Sequence, residues 1–328
     1  MADVPLIFAR LDQTLQALVE QLQPLRYRDG GALADDRPGH VRAASAVRVW
    51  GQRLVVVQDD VNVLALQGGG TLCEAMLLPA GPGGRRVFGD GAGDKKFKMD
   101  LEACITLPDG RLAAFGSGSS PLRERLVVVK PSGEVRVREA GDLYEILHKT
   151  TAFSGSELNL EGALVIGDRV RLFQRGNGAP TAELQPVDAT GDLPLESFLS
   201  WLDRSEAAPQ LERIRRYDLG SVGGVRYGFT DAALIPDGRV AFLACAEDSP
   251  DALQDGTVLG SRFGVIGRDE ARITDIMDET GRPAKLKLEG IEWLEDGQGG
   301  SFVVVADMDH PEEPALLGRL RVRGLFIP

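Results

Sequence analysis

Cysteine and histidine are both scarce in this chain of 328 residues, which holds three of each: Cys73, Cys104 and Cys245, and His40, His148 and His310. The cysteines lie far apart without CxxC spacing, which excludes a disulfide scaffold and a thiolate zinc site and leaves three buried thiols as the reading. The histidines share no motif, so neither a His-rich metal centre nor a Ser-His-Asp triad has its parts. No run approaches the ~20 apolar residues that span a bilayer. The start MADVPLIFARLDQ lacks the basic-then-apolar layout of an export signal, and the expectation is a cytoplasmic protein with no membrane partner. Positive charge is also in deficit, with 37 basic against 49 acidic side chains and a formal net charge of -12. Such a chain repels a phosphate backbone, so nucleic acid is excluded as a partner. Aromatic residues make up only 6% of the chain, which offers few platforms for stacking sugars.

What the chain has in quantity is glycine, forty residues of it, and eighteen prolines. These punctuate short β-branched runs such as LVVV and FVVV, separated by turns of the PDG and SGE kind, a pattern that predicts strands. The runs repeat. Residues 100 to 116 read DLEACITLPDGRLAAFG, 228 to 244 read GFTDAALIPDGRVAFLA, and 288 to 306 read LEGIEWLEDGQGGSFVVVA. Two copies with a turn one residue shorter are VRAASAVRVWGQRLVVV at 41 to 57 and NLEGALVIGDRVRLF at 159 to 173.

Because a one-residue slip exchanges the two faces of a strand, the turns must fix the phase. Glu102 and Thr230 stand nine residues before Arg111 and Arg239 in the long-turn copies. Ser45 and Glu161 stand eight before Arg53 and Arg169 in the short-turn copies, and Glu289 stands eight before Gly297. By subtraction, these five positions are 57, 59, 69 and 59 residues apart, which suits four-stranded blades with generous loops. The expected fold is therefore all-β, a single five-bladed β-propeller over residues 1–328. In blade two the strands run ACITLP, RLAAFGS, RLVVVK and VRVREAG from the axis outward. The fifth blade is short of a strand, and the N-terminal extension 1–30, through PLRYRDG at 24 to 30, is expected to supply it and close the ring. Leucines 11, 15, 18 and 22 at helical spacing predict a short N-terminal helix. LPLESFLSWLDR and QLERIRRY predict a helical insertion before the fourth repeat.

In a propeller the residues that open the inner strands form a ring around the channel. Three of the five here are glutamates, and three carboxylates brought together repel or take up protons unless a cation neutralises them. The predicted metal ligands are thus Ser45, Glu102, Glu161, Thr230 and Glu289, with Asp231 as the alternative to Thr230. An all-oxygen donor set suits a hard ion such as Ca²⁺ better than zinc. The loops joining second and third strands should surround this ring. They offer Ser117, Ser119, Arg123, Arg175 and Asn177 as phosphate-binding candidates, and Asp60 and Asp307 as candidate bases.

GFTDAALIPDGRVAFLACAED, KLKLEGIEWL and KMDLEACITLPDGRLAAFGSGS resemble segments of the calcium-activated nucleotidases, the apyrases first known from blood-feeding arthropods. The resemblance spans about residues 40 to 297. It implies a five-bladed propeller with one Ca²⁺ on its axis that hydrolyses nucleoside di- and triphosphates. It also implies ion ligands in the order Ser, Glu, Glu, Ser, Glu, which fall here on Ser45, Glu102, Glu161, Thr230 and Glu289, with Thr in place of the second Ser. That family is secreted, its chain ends near the EGIEF-like motif, and its first blade carries an arginine-rich approach absent from DRPGHVRAAS. The expected function is accordingly a Ca²⁺-dependent hydrolase of phosphoanhydrides or phosphate esters, acting on a small phosphorylated molecule. The alternatives are a non-catalytic scaffold in which the ion ties the blades together, and, ranked last, a glycan-active propeller.

Overall fold

The computed structural model describes residues 4–70, 72–89, 93–204, 206–249, 256–295 and 300–326. Its antiparallel ladders fall into five four-stranded units. Unit one comprises Ala44–Trp50, Arg53–Gln58, Val63–Gln67 and Leu72–Leu77. Unit two comprises Leu101–Thr106, Leu112–Gly116, Arg125–Val129 and Val135–Glu139, the order read from the sequence. Unit three is Leu160–Ile166, Arg169–Gln174, Asp188–Pro194 and Glu212–Asp218. Unit four is Gly228–Leu234, Val240–Asp248, Thr257–Ile266 and Ala271–Met277. Unit five takes Lys287–Trp293, Ser301–Asp307 and Leu316–Arg323 from the end of the chain and Gln16–Pro24 from its start.

The first strands of consecutive units touch one another, and that of unit five touches that of unit one, so the inner strands form a closed circuit. The apolar runs explain why. Val55, Val56 and Val57 are all buried, because successive side chains enter the interfaces on either side of their sheet. Five hydrophobic clusters result, one between each pair of neighbouring units. Val55 with Leu101 joins units one and two, Phe115 with Leu160 joins two and three, and Phe173 with Phe229 joins three and four. Leu243 with Phe302 joins four and five, and Val305 with Val47 joins five and one. The three cysteines are free and buried within this core.

Three sequence expectations are corrected. The leucines at 11, 15, 18 and 22 do not make a helix. Gln16–Pro24 is a strand whose inward residues, with Leu15, are Ala17 and Val19, whereas Leu11 is 65% exposed. Alternation overrides helical spacing because this segment pairs with Leu316–Arg323 and buries one face in unit five. It is this strand, rather than PLRYRDG, that completes the unit; Arg26–Tyr27 instead pairs in parallel with the outer strand of unit one. Likewise QLERIRRY is not helical. Glu212–Asp218 forms the outer strand of unit three, while the expected helix in LPLESFLSWLDR is present as Leu195–Arg204, packing through Phe198 and Trp201. Two further helices, Gly141–Lys149 and Thr151–Ser154, lie between units two and three. Among the described residues, no helix is long and apolar enough to cross a membrane. Gly297, which phases the fifth repeat, lies outside the described residues.

Candidate metal centre

Each inner strand carries a bulge at the same place. In unit one the ladder passes from Ala44↔Gln58 to Ala46↔Val57 and skips Ser45. The same irregularity skips Glu102, Glu161, Thr230 and Glu289 in the other units. A bulge frees one residue from the alternation of the strand and re-aims its side chain. The five positions phased from the turns are thus structurally equivalent. The following position is Ala46, Ala103, Gly162, Asp231 and Gly290, mostly small because the inner strands crowd together. A Cβ on Gly290 would sit 2.7 Å from the Val47 nitrogen.

Glu102, Glu161 and Glu289 bring carboxylate oxygens within 4.8 Å of one another. Ser45 joins them in lining a cavity of about 50 Å³. Its hydroxyl donates to the Leu101 carbonyl at 2.5 Å, and Thr230 donates to the Leu288 carbonyl at 2.6 Å, so each hydroxyl ties its inner strand to the next. Thr230 is fully buried and does not line the cavity. Asp231 is also apart from the cluster. It accepts from Arg48 at 2.7 and 2.8 Å and from the Ile291 amide at 2.9 Å. The same guanidinium donates to the carbonyls of Val47, Ala163, Ala232 and Ile291, so Arg48 pins the inner strands of four units together beneath the ring.

In every unit the end of the second strand or the segment that follows it reaches this cavity. Asp59, Arg123, Arg175, Asn177, Glu247 and Asp307 all line it. Arg175 pairs with Glu161 at 3.1 Å and Glu247 at 2.8 Å, and Arg123 with Asp100 at 2.9 Å and Ser119 at 2.7 Å. Ser117 donates to Asp100 and contacts Ser119, and Asn177 accepts from Asn159 at 3.2 Å. The phosphate-binding candidates are therefore engaged with the carboxylate cluster and with one another. Asp60 is paired with Arg42 outside this cavity and lines an adjacent cleft of about 390 Å³. Asp307 lines both spaces.

Seven carboxylates and five cationic side chains line the smaller cavity, leaving two negative charges if all are ionised. Burial pushes Glu102 and Glu289 well above the usual carboxylate range and Glu161 to about 7. Asp307 rises to about 8, chiefly through burial, and Asp60 to about 7, through burial and then the neighbouring Asp59. Asp100 behaves oppositely: burial acts to raise it, but Lys98 and Arg123 hold it below the ordinary value. Buried oxygens of Glu161 (Oε2), Glu289 (Oε1) and Asp59 (Oδ1) accept no hydrogen bond among the described residues. Unmatched acceptors and all-oxygen donors, with a surplus of two negative charges once every carboxyl is ionised, fit a hard divalent cation.

Sequence reasoning missed Lys98, Asp100, Asn159 and Lys287, which also line the cavity. Three of these stand two residues before Glu102, Glu161 and Glu289 respectively, a recurring offset that the phased repeats contain. Lys98 carries no such signal.

The fold and the site together define an all-β protein of propeller type with a buried carboxylate cluster that could hold a metal ion. The chain belongs to DUF6929, a family of unknown function, whose match covers residues 40–322. No curated protein matches it in sequence. Among solved structures, a candidate exo-β-1,3-galactanase from Bifidobacterium bifidum s17 is similar at 10% identity and a TM-score of 0.51, with 92% of each chain covered. The mannose phosphorylase MPT-4 from Leishmania mexicana gives 14% and 0.46 over 92% of this chain and 88% of that one. The gluconolactonase XC5397 from Xanthomonas campestris gives 12% and 0.41 over 95% and 99%. At 10% identity the likeness to the galactanase is one of fold alone.

Proposed function

We propose that this protein is a five-bladed β-propeller, a single domain, that holds a Ca²⁺-type ion on its axis and hydrolyses a phosphoanhydride or phosphate ester in the adjoining cleft. The observation that carries it is the meeting of Glu102, Glu161 and Glu289 within 4.8 Å, with buried oxygens of Glu161 and Glu289 that accept no hydrogen bond among the described residues. At an effective dielectric of 20, each pair of such charges repels by about 3 kcal/mol, and a bound cation removes that cost.

The three glutamates, with the Ser45 hydroxyl oxygen, would hold the ion. When bound, it supplies positive charge that polarises a phosphoryl oxygen. Arg175 fixes Glu161, and Arg123 and Lys98 fix Asp100, so the ring enters the reaction already oriented. Asp307 lies on the wall shared by both spaces; its carboxyl, raised to about 8, takes the proton of the attacking water only in the ionised form, which gains population as pH approaches that value. Asp60 stays with Arg42 and shapes the cleft.

The engagement of Arg123 and Arg175 by carboxylates favours a second reading, in which the ion only ties the blades together. Elemental analysis and thermal melting in EDTA and in Ca²⁺ test the ion, and phosphate release from a panel of nucleotides and phosphate esters tests the reaction. An absent ion and an unmoved melting temperature would sink the first reading. A bound ion without turnover, with Glu161→Gln changing stability alone, would establish the second.

A further inference from the structure

A second group of carboxylates adjoins the axial one. Asp59, Asp100 and Glu102 also bring oxygens within 4.8 Å of one another, and Glu102 belongs to both groups. The ammonium of Lys98 sits in this second group, 2.5 Å from Asp59 Oδ2 and 2.5 Å from Asp100 Oδ1, with its side chain 7% exposed. Those separations fall in the 2.3–2.6 Å range over which carboxylate oxygens bind Ca²⁺. A divalent ion in place of the ammonium would therefore need little movement of the two aspartate oxygens, while Glu102, which makes no ion pair with Lys98, lies within 4.8 Å of both and would close on the ion. Among the described residues Asp59 Oδ1 accepts no hydrogen bond, so the group has donor capacity beyond the lysine. Lys98 lines both the axial cavity and the cleft, so this position opens to the space where a ligand would enter.

We propose that Asp59, Asp100 and Glu102 form a second divalent-cation subsite that the Lys98 ammonium fills, so that the centre is a pair of cation positions bridged by Glu102 with a lysine in one of them. This rests on the reading that Glu102, Glu161 and Glu289 hold an ion. Burial acts to lower the pKa of Lys98, but Asp100 and then Asp59 and Glu102 outweigh it and hold the ammonium charged. The lysine is a fixed positive charge beside the axial ion, one that chelators cannot remove.

Ions bound per chain are counted by equilibrium dialysis with Ca²⁺ and by elemental analysis in wild type, Lys98→Ala, Lys98→Arg and the double variant Asp59→Asn/Lys98→Ala. The expected increment is one ion on going from wild type to Lys98→Ala, with none gained by Lys98→Arg and the gain lost in the double variant. With Mn²⁺ in place of Ca²⁺, Lys98→Ala should show the exchange-coupled spectrum of two neighbouring ions. Removing the ammonium uncovers buried charge, so Lys98→Ala should melt well below wild type in EDTA and recover in Ca²⁺. An increment of zero overturns the proposal, as does a Lys98→Ala protein that Ca²⁺ fails to restore. A wild type that binds no ion tells against the axial site, while the increment between the two proteins still decides the subsite.

Discussion

Arg48 and Asp231, 183 positions apart in sequence, form a two-point ion pair at 2.8 and 2.7 Å with both side chains almost completely buried. Removing one partner of such a pair leaves an uncompensated charge and costs about 3–5 kcal/mol. Asp231→Ala should therefore lose that much in urea denaturation. The double variant Arg48→Met/Asp231→Leu should lose clearly less, because no charge is stranded. Equal losses in the two proteins would show that packing, not charge pairing, is what Asp231 supplies.

Glu161→Gln should have opposite effects with and without metal. In EDTA it removes one of three mutually repelling carboxylates, so the melting temperature should rise by about 2–4 °C. In excess Ca²⁺ the variant should fall below wild type, because a charged donor has been lost. A melting curve that drops equally in both buffers would mean that the glutamate acts only through its pairing with Arg175.

The cluster also sets a pH dependence. Burial raises Glu161 to about 7 and holds Glu102 and Glu289 well above their ordinary value, so the folded protein keeps protons that the unfolded chain has released above about 4.5. The unfolded state then binds fewer protons, and the contribution of these groups to stability falls as pH rises from about 4.5 through 7. Ca²⁺ binds the ionised forms, so the melting shift it produces should grow between pH 5 and pH 8. Thermal melts across that range, with and without Ca²⁺, measure both trends; a Ca²⁺ shift that shrinks with rising pH would contradict the assignment.

The N-terminal strand offers a direct contrast. Val19 is 1% exposed between units four and five, whereas Leu11 is 65% exposed. Val19→Asp should destabilise by about 3 kcal/mol or more, through an unpaired buried charge, and Leu11→Asp by less than about 0.5 kcal/mol. An amphipathic helix with its leucines inward would make both changes costly. Denaturant midpoints of the two variants settle the difference.

Much of this architecture was legible in the sequence because its repeats mark the turns, and the turns mark the phase. Glu102, Glu161 and Glu289 followed from counting, since a bulge recurs wherever the inner strand begins. The N-terminal strand was hidden because its partner lies about 300 residues downstream, and four leucines happened to fall at helical spacing. QLERIRRY was misread for a similar reason: an outer strand with one exposed face carries charges and lacks the apolar runs of an inner one. Lys98 was invisible because nothing in KKFKMD says which lysine turns inward; only the placement of Asp59 from another unit reveals it.

The first residues of the chain do more than complete unit five. Residues 6–8, 10–11, 16–24 and 26–27 pair in turn with the outer strands of units three and four, with the last strand of unit five and with the outer strand of unit one. Glu20 is joined to Arg321, 301 positions away, at 2.6 Å. This clasp cannot fasten until its partner strand, Leu316–Arg323, has been synthesised. Until then a growing chain carries Ala17 and Val19 unpaired, and the closing step joins segments on the order of 300 residues apart. Refolding should accordingly stall at an open ring, with the end-joining event as the slow phase and the unfastened edges as the point where copies of the chain would cross-pair.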